Sequence, residues 1–458
     1  MSEFAVPTPL EWREAAIKAL KERPLESLIH LDADHLATKP LYGAANGGEP
    51  VFAPRPSDSE GRAWDVRALN EGEDADALNR AILTDLENGA ASVLIAGPVA
   101  SDAAKLARAL DGVALELAPV ALDAGFEGVK AAEALSAAAK GSPRAKLAFH
   151  LDPISAYAEA GGAPSDFASI MAETAKAAAT YAATYPEATL FMASGRVAHE
   201  AGGSIAQELA FAASSAVAYV KAAVEAGLSV EAALKGVVLG VAVDQAYFDS
   251  LAKIRALRLV WASVSKAFGL EVQAKVEARS SRRMLSARDP WPNMLRLTAA
   301  GFAGAVGGAD AVVLDGFTRA AGLPDDFAKR QARNTQLILM EESNLGRVDD
   351  PASGSWYLDA RTRELAEAAW AEFQVYEAEG GVIACLEGGV IQPRIARARD
   401  MAEKAYRDGA AQIVGVTKFV DPDVRPAPVT PAPAVAAIGT FEALAPVRFA
   451  AAFEEAAQ

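Results

Sequence analysis

Asp152, Arg196, His199, Asp244, Gln245, Ser280, Arg282 and Asp315 are the side chains of this sequence best placed to do chemistry. Each falls at or just beyond the end of a β-prone run, where side chains project into open space. Carboxylates, an imidazole and guanidinium groups so placed could move protons or hold an anion. The same residue types also serve as plain caps where a strand turns into a helix, and they form no nucleophile–base–acid series. His30, His35, His150 and His199 are the four histidines, and none is spaced as HxH or HxxxH. No metal site is therefore expected.

Composition narrows the classes. The chain has 458 residues, 52% of them hydrophobic, and a formal net charge of −16. That length supports a sizeable core. The acidic balance argues against a nucleic-acid partner, which needs a basic stripe, and against docking on an anionic membrane. Cys385 is the single cysteine, so no internal disulfide can form. No apolar run is long enough to span a bilayer, and the first residues lack the basic-then-apolar order of a signal peptide. A cytoplasmic protein is expected.

The elements that must position those polar residues repeat eight times. β-prone runs occur at Trp64–Asn70, Ala91–Gly97, Val113–Pro119, Lys146–Asp152, Thr189–Gly195, Val238–Asp244, Val272–Ala278 and Ala311–Phe317. A helical stretch follows each, such as Asp74–Glu87 and the stripe Tyr247, Leu251, Ile254, Leu257, Trp261, Val264 and Phe268. Strand then helix, eight times, predicts an α/β fold: an eight-stranded parallel β/α barrel of the TIM type. An open doubly wound sheet is the rival, disfavoured by the count and by the lack of a Gly-rich loop after the first strand.

Alternation along the strands assigns the bore. Helices cover the outer face, so the outward residues must be apolar. With Val272, Ala274 and Val276 outward, Gln273, Lys275 and Glu277 point inward. Arg67, Glu116 and His150 point inward by the same rule. Arg67, Glu116, His150, Lys275 and Glu277 are thus predicted to form an ion-pair plug across the axis, since buried charges persist only when paired. A one-residue slip of a strand would turn such charges outward instead.

Residues 1–40 read as an N-terminal arm, 41–420 as the barrel, and 421–458 as a Pro/Ala-rich C-terminal tail. The arm holds a short helix, about Leu10 to Lys21, with Trp12, Ala16, Ala19 and Leu20 on one face. A helix this short needs a surface to lie on, its own barrel or a partner. Helices are expected outside the barrel at Arg363–Gln374 and Pro393–Arg407. In the tail Pro422, Pro426, Pro428, Pro431 and Pro433 predict an extended, semi-rigid linker. Asp289-Pro290 predicts a capped helix start, with Trp291, Met294 and Leu295 on one face.

Three stretches carry a family likeness: RMLSARDPWPNMLR from Arg283 to Arg296, ARNTQLILMEESNLGRVDDPASGSWY from Ala332 to Tyr357, and KPLYGA from Lys39 to Ala44. In these the chain resembles the methylmalonyl-CoA mutase family, cobalamin-dependent enzymes that rearrange acyl-CoA carbon skeletons. The likeness runs from about residue 38 to residue 420. In the family's catalytic chains a Tyr-His pair, which holds the acyl thioester, follows the glycine matching Gly195. Here those positions are Arg196 and Val197, and valine can neither donate nor accept a hydrogen bond. His199, two residues on, is a weak replacement candidate. Catalytic chains also carry a tyrosine before the first strand, where Pro54 to Gly61 has none, and an Asp-x-His-x-x-Gly cobalamin motif missing from this sequence.

The resemblance and these departures together imply the small (beta), non-catalytic subunit of a heterodimeric mutase, lacking the C-terminal cobalamin-binding domain. On that reading the partner is a homologous large catalytic subunit. It would hold adenosylcobalamin and interconvert methylmalonyl-CoA and succinyl-CoA, a reaction of propionate metabolism, while this chain binds no cofactor. The arm would lie across the partner. Asp152, Gln245 and Arg282 are the candidates for any substrate contact at the barrel mouth. Two alternatives stay open: a catalytic barrel served by a cobalamin-binding domain on a separate chain, and a scaffold or binding module independent of cobalamin.

Overall fold

The computed structural model describes residues 7–56, 62–142, 144–431 and 437–455. Residues 57–61 of the loop without a tyrosine, and Pro433 of the tail, lie outside the described residues. Eight parallel strands close into a barrel. They are β1 (Asp65–Glu71), β2 (Ser92–Ala96), β3 (Val120–Asp123), β4 (Leu147–Leu151), β5 (Thr189–Ser194), β6 (Val237–Val243), β7 (Val276–Ser280) and β8 (Ala311–Val313). Each strand pairs with its sequence neighbour, and β8 closes the ring on β1 through Ala311 opposite Asp65. The predicted β/α barrel is the fold.

Outward residues of the strands, such as Val93, Ile95, Phe149, Phe191, Leu239 and Val241, are fully buried under the helices. Phe191 stacks on Tyr219 of the overlying helix at 5.0 Å, and Phe149 on Tyr181 at 4.5 Å. Among the helices are α1 (Pro9–Leu20), α2 (Ile205–Glu225), α3 (Tyr247–Ala267) and α4 (Trp356–Ala378). α2 covers β5 and β6, α3 covers β6, and α4 packs outside both helices. The expected outer helices fall within α4 and within Ile391–Arg407.

Two strands differ from the expected runs, with consequences for the bore. Val113–Pro119 is not strand; the third strand is the short apolar run Val120–Asp123 that follows Pro119. Leu117 is 78% exposed, so the apparent alternation of 113–119 belongs to a surface turn. Glu116 therefore never enters the bore and pairs with exposed Arg144 at 2.9 Å. The seventh strand begins at Val276, four residues later than the expected run. Lys275 precedes it and donates to the Lys235 carbonyl at 3.2 Å in an exposed contact. Glu277 keeps its inward direction because the shift is an even number of residues.

The expected helix start at Asp289-Pro290 also moves. The helix is Asn293–Val306, with Pro292 at its N-cap. Asp289 instead closes a turn, accepting from the Trp291 N–H at 3.3 Å. A second proline two residues on has no N–H to offer and delays the helix past itself. Leu295 is consequently 75% exposed rather than facing the core.

The described residues toward each end of the chain pack on the barrel. α1 carries a capping box between Thr8 and Glu11 and buries no residue; Leu10 is 65% exposed and Ile17 46%. The arm is pinned behind α1: Asp32 pairs with buried Arg361, and Asp34 accepts from the Ala206 N–H at 3.0 Å, in the first turn of α2. At the other end, residues 438–449 are not a free spacer but a strap across the C-terminal mouth of the barrel. Ile438 N–H donates to Ala160, Thr440 N–H to Gly161, Leu444 N–H to Ala158, Val447 N–H to Glu200 and Phe449 N–H to Arg283. A side chain at Gly161 would meet the Phe441 carbonyl at 2.5 Å, and Gly161 is also left-handed at φ +66°. Only glycine suits that crossing.

Candidate functional site at the barrel mouth

The bore is packed from its N-terminal end. Arg67 of β1 donates through Nη1 to Glu277 of β7 at 2.6 Å, through Nη2 to Asp65 at 2.7 Å and through Nε to Ser92 at 2.8 Å. Both Arg67 and Glu277 are buried. Burial opposes ionisation of Glu277, but Arg67 outweighs it and holds the carboxyl below its usual range. Two residues further along the strands, Leu69, Leu94, Ala121, Ala148 and Val313 form an apolar layer. Of the five residues expected in the plug, the structure brings together Arg67 and Glu277, with His150 close above; Glu116 and Lys275 lie outside.

Beyond that layer a cleft of about 190 Å³ opens to solvent under the strap residues Leu444 and Pro446. Its floor holds His150, which sits at a β-bulge between Ala148 and Leu151 with φ +45°. The bulge re-aims the ring into the cleft. His150 is 6% exposed, and its Nε2 has no hydrogen-bond partner. Burial pushes its pKa down to about 4, so the ring is neutral. Asp152 accepts from the Tyr219 hydroxyl at 2.6 Å and from the Ser155 N–H at 3.1 Å; burial nonetheless raises it to about 6.

Arg279 of β7 reaches Asp123 of β3 at 2.9 Å and approaches Asp315 at 3.8 Å. Arg282 lies 3.5 Å from Asp315. Burial disfavours the Asp315 charge, yet Arg279 and Arg282 hold its carboxyl well below the usual range. Arg196 and Val197 line the cleft after β5, where Gly195 passes so close to α2 that a Cβ would lie 2.0 Å from the Glu208 carbonyl. Gln245 is elsewhere, in a groove with Arg283, Tyr406 and Phe449. Asp244 caps its own turn with Ser250, and Ser280 accepts from the Asp315 N–H at 2.8 Å.

His199 does not reach the cleft. Its Nε2 lies 2.8 Å from Ser281 Oγ and its Nδ1 3.2 Å from Glu208 Oε2. Glu208 also accepts from Lys253 Nζ at 2.7 Å and from the Ala242 N–H at 2.6 Å. The order Ser281–His199–Glu208 imitates an acyl-transfer triad, but Ser281 is 0% exposed and no substrate can touch it. The set is an internal tie between α2, α3 and the barrel. Sequence reasoning missed Glu208 and Lys253, which sit on helices and carry no periodic mark. It also missed Arg279, which the parity of Glu277 could have placed inward.

The strap runs across the mouth, His199 is committed inside, and His150 is recessed below the rim. Among the described residues no three His, Cys, Asp or Glu side chains gather as a metal site. No described helix is long and apolar enough to cross a membrane.

A family profile described as methylmalonyl-CoA mutase matches residues 91–448. A methylmalonyl-CoA mutase small subunit from Streptomyces virginiae is 40% identical over 425 residues, 89% of this chain and 68% of that one. One from Propionibacterium freudenreichii subsp. shermanii is 38% identical, covering 70% of this chain and 51% of that one. A methylmalonyl-CoA mutase from Escherichia coli is 27% identical over 89% of this chain and 64% of its own length. The matches thus span only about half to two thirds of these relatives.

Proposed function

Since the chain belongs to the methylmalonyl-CoA mutase family, we propose that it is the small, non-catalytic subunit of a heterodimeric mutase. It supports a homologous large subunit that holds adenosylcobalamin and interconverts methylmalonyl-CoA and succinyl-CoA. The chain contributes a barrel and an arm rather than reacting groups. The observation that carries this reading is the Arg67–Glu277–Asp65 set across the bore, closed over by Leu69, Leu94 and Val313. Catalytic chains of the family thread the pantetheine arm of coenzyme A along the barrel axis; here that arm would have to displace buried, mutually paired charges, at a cost of order 3–5 kcal/mol.

Further support comes from the mouth. Arg196 and Val197 stand where catalytic chains of the family place their Tyr-His pair, and His199 is turned away into contacts with Ser281 and Glu208. The higher identity to proteins named small subunit, 38–40% against 27% for the Escherichia coli mutase, points the same way. The arm suits a partner: α1 buries none of its residues, while Leu10, Ile17, Leu28, Ile29 and Leu31 are exposed on one anchored segment. An apolar segment of this kind marks an interaction site.

The test is reconstitution. With adenosylcobalamin and methylmalonyl-CoA the chain alone is expected to give no succinyl-CoA. Mixed with a large subunit it should elute as a stable complex with turnover. Replacing Leu10 and Ile17 by aspartate should weaken that complex by about tenfold or more. Turnover by this chain with an isolated cobalamin-binding protein would overturn the proposal in favour of a split catalytic enzyme.

A further inference from the structure

We propose that residues 30–38 are a plug seated in a polar socket on the barrel's outer helices, and that this seat aims α1 at the large subunit. The aiming role rests on the small-subunit reading above. The plug is a hairpin in which His30–Leu31 pairs antiparallel with Ala37–Thr38. Asp32 serves its tip twice. Oδ1 folds the tip, accepting from the Asp34 and Leu36 N–H groups, each at 2.9 Å. Oδ2 reaches out of the hairpin and accepts from Arg361 Nη2 of α4.

Three helices build the socket. Arg361, its side chain 1% exposed, also donates through Nε to Asp249 of α3 at 2.8 Å. Burial opposes its charge, but Asp249 and Asp32 outweigh burial and keep it protonated. The third wall is the start of α2. Ser204 caps that helix by accepting from the Gln207 N–H, which leaves the Ala206 N–H with no acceptor in its own helix. Asp34 supplies one from the arm at 3.0 Å, at the positive end of a 21-residue helix. A cavity of about 160 Å³ stays open beside the tip, lined by Asp34, Lys253 and Arg361. Arg361 Nη1 is buried with no hydrogen-bond partner among the described residues. The seat is therefore polar, held by charge and direction rather than by apolar area.

A buried ion pair adds little net stability, but it fixes one arrangement. Behind the plug the arm stays fastened. Tyr42 lies 5.0 Å from Tyr357 of α4, ring centre to ring centre, and the Val51 carbonyl accepts from buried Arg255 at 2.6 Å. Ahead of the plug the arm is bare: α1 buries no residue, and Leu28, Ile29 and Leu31 are exposed. A segment anchored by buried charges at its root, with no residue of α1 buried, is not a cover for its own barrel. It is a hook set in advance, and a segment fixed before association loses less freedom on binding.

Two variants within the arm test this. Asp32→Asn keeps the acceptor that folds the tip but removes the charge offered to Arg361. Asp34→Ala uncovers the Ala206 N–H. In hydrogen exchange on the full chain, the Ala206 amide should exchange about tenfold faster or more in each variant, as the loss of one charge-assisted hydrogen bond implies. The urea midpoint should stay at the parent value, because the plug opens before the barrel unfolds. Association with the large subunit should slow about tenfold, since the hook must then be ordered during binding. Unchanged Ala206 exchange in both variants would overturn the plug. So would a lowered urea midpoint, which would place Asp32 and Asp34 in the barrel's own folding unit. Faster exchange with unchanged association would overturn the aiming role. A parent chain that binds no large subunit would overturn the small-subunit reading and the aiming role together, while the exchange result still decides the plug.

Discussion

Replacing Arg67 with methionine is expected to destabilise the barrel by about 3–5 kcal/mol at neutral pH, read as a lowered urea midpoint with an unchanged slope. The substitution removes one cation and strands two acids: Glu277 at 2.6 Å and Asp65 at 2.7 Å both lose their partner. Packing is nearly conserved, so the loss reports charge rather than volume. In the parent, Glu277 titrates below its unfolded value. Its contribution is therefore present above the ordinary carboxylate range and is lost as pH falls through the folded pKa. In the variant, burial dominates and the folded value rises above the unfolded one. Stability from this group should then fall, not rise, as pH increases from about 4 to about 7. The double variant Arg67→Met/Glu277→Met should recover most of the loss, to within about 1–2 kcal/mol of the parent, because Asp65 keeps the Ser92 hydroxyl. A harmless single substitution would mean that the bore is wet and the charges are not shielded from water.

Replacing Glu208 with glutamine should be comparably severe, costing about 3–5 kcal/mol. Glu208 is 0% exposed and is the acceptor for Lys253 Nζ at 2.7 Å, with His199 Nδ1 at 3.2 Å. Glutamine keeps an acceptor for the Ala242 N–H but removes the charge that Lys253 needs. Burial works against the Glu208 charge, but Lys253 and then His199 hold the group down to about 2. Its folded pKa lies below the unfolded one, so its stabilisation exists above the unfolded value and disappears as pH falls from about 5 to about 2. That component amounts to about 3 kcal/mol. The parent should therefore lose more stability across that acid window than Glu208→Gln does. Equal acid sensitivity in urea titrations at pH 6 and about pH 3 would show that Glu208 does not carry the tie between α2, α3 and the barrel.

The barrel was readable because a short β-prone run is followed by a helical stretch eight times, and eight such units admit few architectures. Strand ends were less readable. In the third unit Leu115 and Leu117 alternate as a half-buried strand would, yet they precede Pro119 in a surface turn, and this error drew Glu116 into the bore. In the seventh unit the displacement was even, so Glu277 stayed inside while Lys275 dropped to the barrel's lower edge. Helical periodicity could not reveal Lys253 or Arg255, polar residues set within the apolar stripe of α3 and fully enclosed by partners distant in sequence. Composition read the proline-rich tail as a spacer. It could not show that residues 438–449 dock by backbone hydrogen bonds, which carry little side-chain signature.

The claim that the bore no longer accepts a thioester is tested most directly by a crystal structure of the chain grown with a saturating acyl-coenzyme A. The expected result is an intact Arg67–Glu277 contact at its present 2.6 Å, with no pantetheine density between Leu69, Leu94 and Val313. Continuous density for the pantetheine arm along the barrel axis, with Arg67 swung aside, would contradict it.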